Sequence, residues 1–193
     1  MTTQLPYLNE WLTLAKSGNF QKAQEIYYEK LFEEVIEKFK NTNGPLLRKG
    51  GILFSILGYS PEPIILTAKA LEPHNHIIFT TGNKPEGVNY LEKYLESEYE
   101  MIYLEDESFQ TIYKALKEQL VLNPSSKITL DITGGKKSMV AAASIFGKDY
   151  GCQIVYVDFT EYIKELRKPM PGSEVLNLVY EPNRDQPELI TND

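Results

Sequence analysis

The stretch 127–159, KITLDITGGKKSMVAAASIFGKDYGCQIVYVDF, decides how this chain is read. An apolar run (127–133) ends in a turn holding two glycines and two lysines. A segment rich in small residues follows, and a second apolar run starts at Cys152. Strand, tight turn, helix and strand in that order make a unit whose two strands lie parallel in one sheet. Strands apolar on both alternating faces belong to a sheet covered on both sides.

Working backwards from that unit, the pattern repeats. GILFSILG (51–58), HIIFTTG (76–82) and YEMIYLE (99–105) read as strands. PEPIILTAKALEP (61–73), PEGVNYLEKYLESE (85–98) and SFQTIYKALKEQLVL (108–122) read as helices between them. VLNLVY (175–180) reads as an edge strand. Strands of about six residues alternating with helices predict a doubly wound, mainly parallel α/β sheet of the Rossmann type. The first 45 residues predict a helical hairpin, with Gly18 closing its first helix and Asn19 capping its second. Its GNFQKA turn resembles one tetratricopeptide hairpin, but a single copy makes no repeat array. A linker, NTNGPLLRKGG (41–51), leads to the sheet domain at 50–180. Residues 181–193 read as a polar, exposed tail.

Composition sets limits on function. The 193 residues carry a net charge of −7, which argues against a broad cationic surface for DNA or RNA. The single cysteine, Cys152, excludes an internal disulfide and a CxxC metal site, and its apolar surroundings predict a buried, inert thiol. The N-terminus lacks the basic and apolar regions of a signal peptide, and no apolar run approaches the length of a membrane span. A cytoplasmic protein with no membrane partner, no metal and no cofactor is expected.

Ligands of such sheets bind beyond the carboxyl ends of the strands, where strand order reverses. Order 2-1-3-4-5 would use the third loop, whose Glu105, Asp106 and Glu107 repel an anion and read as solvated loop charges. Order 3-2-1-4-5 would instead use LGYSPEP (57–63) and ITGGKKS (132–138), both rich in turn residues, and is the order expected here. Helix-start amides after Gly135 lack intrahelical partners and favour an anion. Gly134 and Gly135 permit close backbone approach, Lys136 and Lys137 add charge, and Thr133 and Ser138 add hydroxyls. The pattern reads as a phosphate cradle, the alternative being a tight turn with solvated lysines. It is neither a Walker A loop nor GxGxxG.

These residues carry a resemblance. ITGGKKSM after the fourth strand, with LGYSPEP after the first, resembles the CARF family, the CRISPR-associated Rossmann fold. The late family motif is TGGTKxM: Thr133, Gly134, Gly135, Lys137 and Met139 match it, and Lys136 replaces the customary threonine. Gly58, Ser60 and Pro61 match the early motif. Thr81, Gly82 and Asn83, at the end of the second strand, are expected to face the same pocket. The resemblance implies a homodimer binding a cyclic oligoadenylate, of which cyclic tetra-adenylate is the expected ring, across its two-fold axis. Tyr59 and Asn83 are then candidate partners for adenine, although Tyr59 could equally belong to the core. Related proteins often carry an effector domain, such as a HEPN ribonuclease with an Arg…His motif. The only histidines here, His74 and His76, fall in the EPHNHI turn and read as ordinary loop residues. The chain is thus expected to be either a stand-alone domain or the sensor portion of a longer protein.

Three functions remain open. The preferred one is a cyclic oligoadenylate sensor acting on a partner or effector outside this chain. A second is a metal-independent ring nuclease, in which the resemblance assigns catalysis to Ser60 and Lys137. A third is an unrelated nucleotide- or phosphate-binding enzyme, weakened by the missing glycine fingerprint.

Overall fold

The computed structural model describes residues 5–82, 87–96 and 98–185. Its sheet contains six strands: β1 (Ile52–Ile56), β2 (Asn75–Thr81), β3 (Glu100–Leu104), β4 (Ile128–Asp131), β5 (Gln153–Phe159) and β8 (Glu174–Tyr180). They run in the order β3-β2-β1-β4-β5-β8, with all neighbours parallel except the β5–β8 pair. This is the expected α/β Rossmann-like sheet, with β8 as its antiparallel edge. Every residue of β1 and β4 is buried, as apolar runs in the centre of a doubly covered sheet require.

Alternating residues of β1 feed two separate cores. Leu53 joins the core beneath α4 (Glu62–Leu71) and α5 (Val88–Leu95), whereas Phe54 and Ile56 join that beneath α6 (Phe109–Leu122) and α7 (Lys137–Asp149). Packing of α7 relies on its small residues: Ala142 and Ala143 are fully buried, and Gly147 leaves room for the Ile154 side chain. Cys152 lies in the same core, where burial pushes its thiol up to about 12, as an inert thiol should show.

The N-terminal helices α1 (Leu8–Lys16), α2 (Phe20–Ile26) and α3 (Phe32–Asn43) contribute to the first core. A π-helical turn, Tyr27–Leu31, joins α2 to α3, so the hairpin's second arm is one continuous rod. Gly18 takes a positive φ of 81° after α1, as a helix-closing glycine should. Asn19 occupies the N-cap of α2, but its side chain makes no capping bond, contrary to the expectation. The helix also runs on to Asn43 and into a short 3₁₀ turn (Gly44–Leu46), so the segment read as a linker is partly helical.

The hairpin occupies a space the α/β alternation leaves empty. After β5 the chain forms a two-residue ladder, β6 (Tyr162–Ile163) with β7 (Lys168–Pro169), and returns as β8 without a covering helix. Leu31, Phe32 and Val35 are buried in one cluster with Val155, Val157 and Leu176 of β5 and β8. Asn43 is buried too, and its Oδ1 accepts from Leu176 N at 3.0 Å. Beyond β8, Pro182–Asp185 forms a short helix, α8. Among the described residues no helix is long and apolar enough to cross a membrane.

Candidate anion site

Strands β4 and β1 are direct neighbours, so the loops at their carboxyl ends meet. They meet through glycines. A Cβ on Gly134 would collide with the Ile56 carbonyl oxygen and lie 2.7 Å from Gly58 N. A Cβ on Gly58 would lie 2.8 Å from Gly135 N. Gly135 has φ +83°, and a Cβ there would sit 2.5 Å from Ile56 Cγ2. These glycines therefore let one loop pack against the other, backbone on backbone. Their first task is to build the site, where the sequence suggested close approach to a ligand.

The helix start above this junction is open. Val140 N donates to Lys136 O, and among the described residues nothing accepts from the amides of Lys137, Ser138 and Met139. Three unpaired donors and the positive end of α7 favour an anion. Lys137 is exposed, and its ammonium makes no ion pair or hydrogen bond among the described residues. Lys136 is also exposed but is engaged: its Nζ lies 2.6 Å from Glu107 Oε1, and that carboxylate pushes the lysine's pKa up. Ser138 Oγ donates to the Glu107 carbonyl at 2.6 Å. The acidic loop after β3, read from sequence as merely solvated, thus reaches the cradle.

Two expected contact residues are turned inward. The Thr133 hydroxyl donates to Asp131 Oδ1 at 2.5 Å and accepts from Val157 N at 2.8 Å, so it ties the loop to β4 and β5 and is not a free donor for ligand. Met139 is buried in the core beneath α6 and α7 and supports the helix start from below, because its position on α7 faces the sheet. Asp131, which the sequence reading passed over, anchors Thr133 through both its hydroxyl and its amide. Burial pushes the Asp131 carboxyl up, against the opposing pull of the hydrogen bonds from Thr133. An aspartate inside an apolar strand, directly before the glycine turn, was the available signal.

In the facing loop, Tyr59 is 89% exposed, which removes the core alternative for its ring. Ser60 is exposed and makes no hydrogen bond among the described residues. Pro61 is buried as the N-cap residue of α4, and its ring fills the space above Gly87, so it shapes the loop from within. Thr81 is half-buried and Gly82 exposed at the end of β2, on the same side of the sheet as Gly58. Asn83 lies outside the described residues. His74 is an exposed loop residue, as expected. His76 is not: it is buried, with Nε2 2.9 Å from the Ser55 hydroxyl, because it lies within β2 where that strand pairs with β1. Among the described residues, no group of three or more His, Cys, Asp or Glu side chains is placed to hold a metal ion.

No family model matches the chain. A search among characterised proteins finds the CRISPR system endoribonuclease Csm6 of Thermus thermophilus, 28% identical over 141 residues, which is 69% of this chain and 30% of that protein. Among solved structures, Can2 of Sulfobacillus thermosulfidooxidans in complex with cyclic tetra-adenylate superposes with a TM-score of 0.50 at 23% identity, covering 56% of this chain and 32% of Can2. In sequence the chain is similar to this Csm6, and in fold to Can2, in keeping with the CARF resemblance of its two loop motifs. Enterococcus italicus Csm6 bound to cyclic hexa-2′-fluoro-hexa-dAMP is a further structural neighbour, with a TM-score of 0.47, 18% identity and coverage of 61% of this chain and 36% of that one. The chain spans about a third of the length of these relatives. The motif residues of the two loops split into two groups. Gly58, Gly134, Gly135, Thr133 and Met139 build the cradle, while Tyr59, Ser60 and Lys137 stand free at its surface.

Proposed function

We propose that this chain is a CARF-domain sensor that binds a cyclic oligoadenylate, with cyclic tetra-adenylate as the ring, at the junction of the 58–61 and 133–139 loops. One observation carries the reading: three unpaired helix-start amides and an unpaired lysine, Lys137, share the exposed mouth of two interlocked loops. A phosphodiester takes amide donors and a cation of that kind. The likeness to Can2, a protein solved with cyclic tetra-adenylate, and to a Csm6 supports the choice of ligand class.

The functional unit in this reading is a homodimer. A ring with two-fold symmetry needs two copies of the same loops, as an isologous dimer supplies. The outward face of α7 supports this: Ala141 and Ile145 are exposed between Lys137 and Lys148, so an apolar patch adjoins the cradle. Signalling then passes to an effector domain or partner outside these residues.

Ring cleavage is the second reading. Ser60 and Lys137 are exposed on the two facing loops and neither is engaged in a hydrogen bond or ion pair among the described residues. Attack of a ribose 2′-oxygen on its own phosphodiester needs positioning and charge stabilisation, which a hydroxyl and an ammonium supply.

The deciding experiment incubates pure protein with labelled cyclic tri-, tetra- and hexa-adenylate, measures binding, and separates products over hours in excess chelator. The sensor reading expects tight binding of the tetramer, a dimeric mass by light scattering, and no product. Linear fragments ending in 2′,3′-cyclic phosphate would establish the nuclease reading. Absence of binding to every ring would refute both.

A further inference from the structure

The Lys136–Glu107 pair joins segments 29 residues apart in sequence and places a carboxylate at the mouth of an anion site. We infer that Glu107 sets the selectivity of that site by acting through Lys136. It holds the ammonium against weak or lone anions and yields it only to a ligand that engages Lys137 and the helix-start amides at the same time. The inference rests on the ligand reading above.

Two features of the geometry support it. First, the pair is exposed, with side-chain exposures of 65% for Lys136 and 36% for Glu107, and an exposed pair is weak enough for a phosphate to displace. Second, the Glu107 backbone is anchored independently of its side chain. Ser138 Oγ donates to its carbonyl, Ser108 N donates to Asp106 Oδ1 at 2.8 Å, and Ser108 Oγ caps α6 by accepting from Thr111 N at 3.2 Å. The carboxylate therefore stays beside the cradle when the pair opens and repels whatever anion has entered. A single phosphate must overcome both effects with one contact. Pyrophosphate and ATP concentrate several negative charges beside that carboxylate, whereas a ring spreads one charge per phosphodiester, so the repulsion falls harder on the former.

Glu107 is thus a positioning residue, and charge removal there has a definite sign. Glu107→Gln keeps the shape and loses the charge. Calorimetric titration of full-length protein with cyclic tetra-adenylate, ATP and inorganic pyrophosphate is the test, run at two salt concentrations on the wild type, Glu107→Gln, Glu105→Gln, Lys136→Ala and Glu107→Gln/Lys136→Ala. Glu107→Gln should tighten cyclic tetra-adenylate binding about two- to fivefold per protomer, the range to which a weak exposed ion pair corresponds. ATP and pyrophosphate should gain more, so selectivity for the ring falls, and the salt dependence of binding should steepen as Lys136 is released. Glu105→Gln removes the same charge from the same loop and should change affinity less than twofold. In the Lys136→Ala background only the smaller gain from relieved repulsion should remain. Unchanged or weaker binding in Glu107→Gln, an equal gain in Glu105→Gln, or a gain undiminished without Lys136 would each overturn the inference. Failure of the wild type and all variants to bind cyclic tetra-adenylate would instead refute the ligand reading, and this inference with it.

Discussion

His76 should make the stability of this domain depend on pH in a way that can be isolated. Its ring is 1% exposed near the start of β2, and burial alone pulls its pKa from 6.5 down to about 3. The folded protein therefore keeps His76 neutral where the unfolded chain takes up a proton. Stability contributed this way is fully present above pH 6.5 and is lost as pH falls towards 3. Each unit of difference corresponds to roughly 1.4 kcal/mol, so the loss at pH 5 is about 2 kcal/mol relative to pH 8. The full shift caps the effect at roughly 5 kcal/mol. The comparison protein is Ser55→Ala/His76→Leu, which removes both ends of the 2.9 Å hydrogen bond and leaves no buried hydroxyl without a partner. Urea unfolding followed by circular dichroism at pH 8, 6.5 and 5 gives the slopes. Carboxylates titrate in both proteins and cancel in the difference. The wild type should lose about 2 kcal/mol more than the double variant between pH 8 and 5. Parallel slopes for wild type and double variant would refute the argument from burial.

Gly134→Ala should cost about 1–3 kcal/mol of stability and weaken ring binding, because the new methyl group meets the Ile56 carbonyl and Gly58 N, backbone atoms that cannot rotate away. Thermal unfolding and titration of the same preparation check both effects. Lys137→Ala should reduce affinity for cyclic tetra-adenylate roughly 10- to 150-fold per site, the value of one charge-assisted contact. Lys136→Ala should cost less, since that ammonium must first leave Glu107; the reverse ranking in calorimetry would contradict this. Tyr28→Phe removes the hydroxyl that donates to Glu62 at 2.5 Å, leaves a half-buried carboxyl beside Pro61 short of a donor, and should destabilise the fold by about 1–3 kcal/mol in urea.

Much of this fold was written locally. Apolar runs of strand length, prolines around α4 and the glycine pair after β4 each encode their own conformation, so the α/β alternation and the position of the cradle could be read without coordinates. The strand order followed from the turn chemistry of two loops, and the sheet has that order. Tertiary structure decided what those residues do to one another. Gly134 and Gly58 are 76 positions apart, and neither shows that the other fills the space where its Cβ would stand. Glu107 lies in a loop whose charges look solvated until α6 and α7 pack side by side and bring it to Lys136. His76 reads as a turn residue until β2 pairs with β1 and sets it against Ser55. The N-terminal hairpin shows only its own amphipathic period, and its place over β5 and β8 depends on a helix missing elsewhere in the chain. Backbone propensity and turn geometry act within a few residues, whereas burial, ion pairing and loop interlock are properties of pairs of segments that only the folded chain brings together.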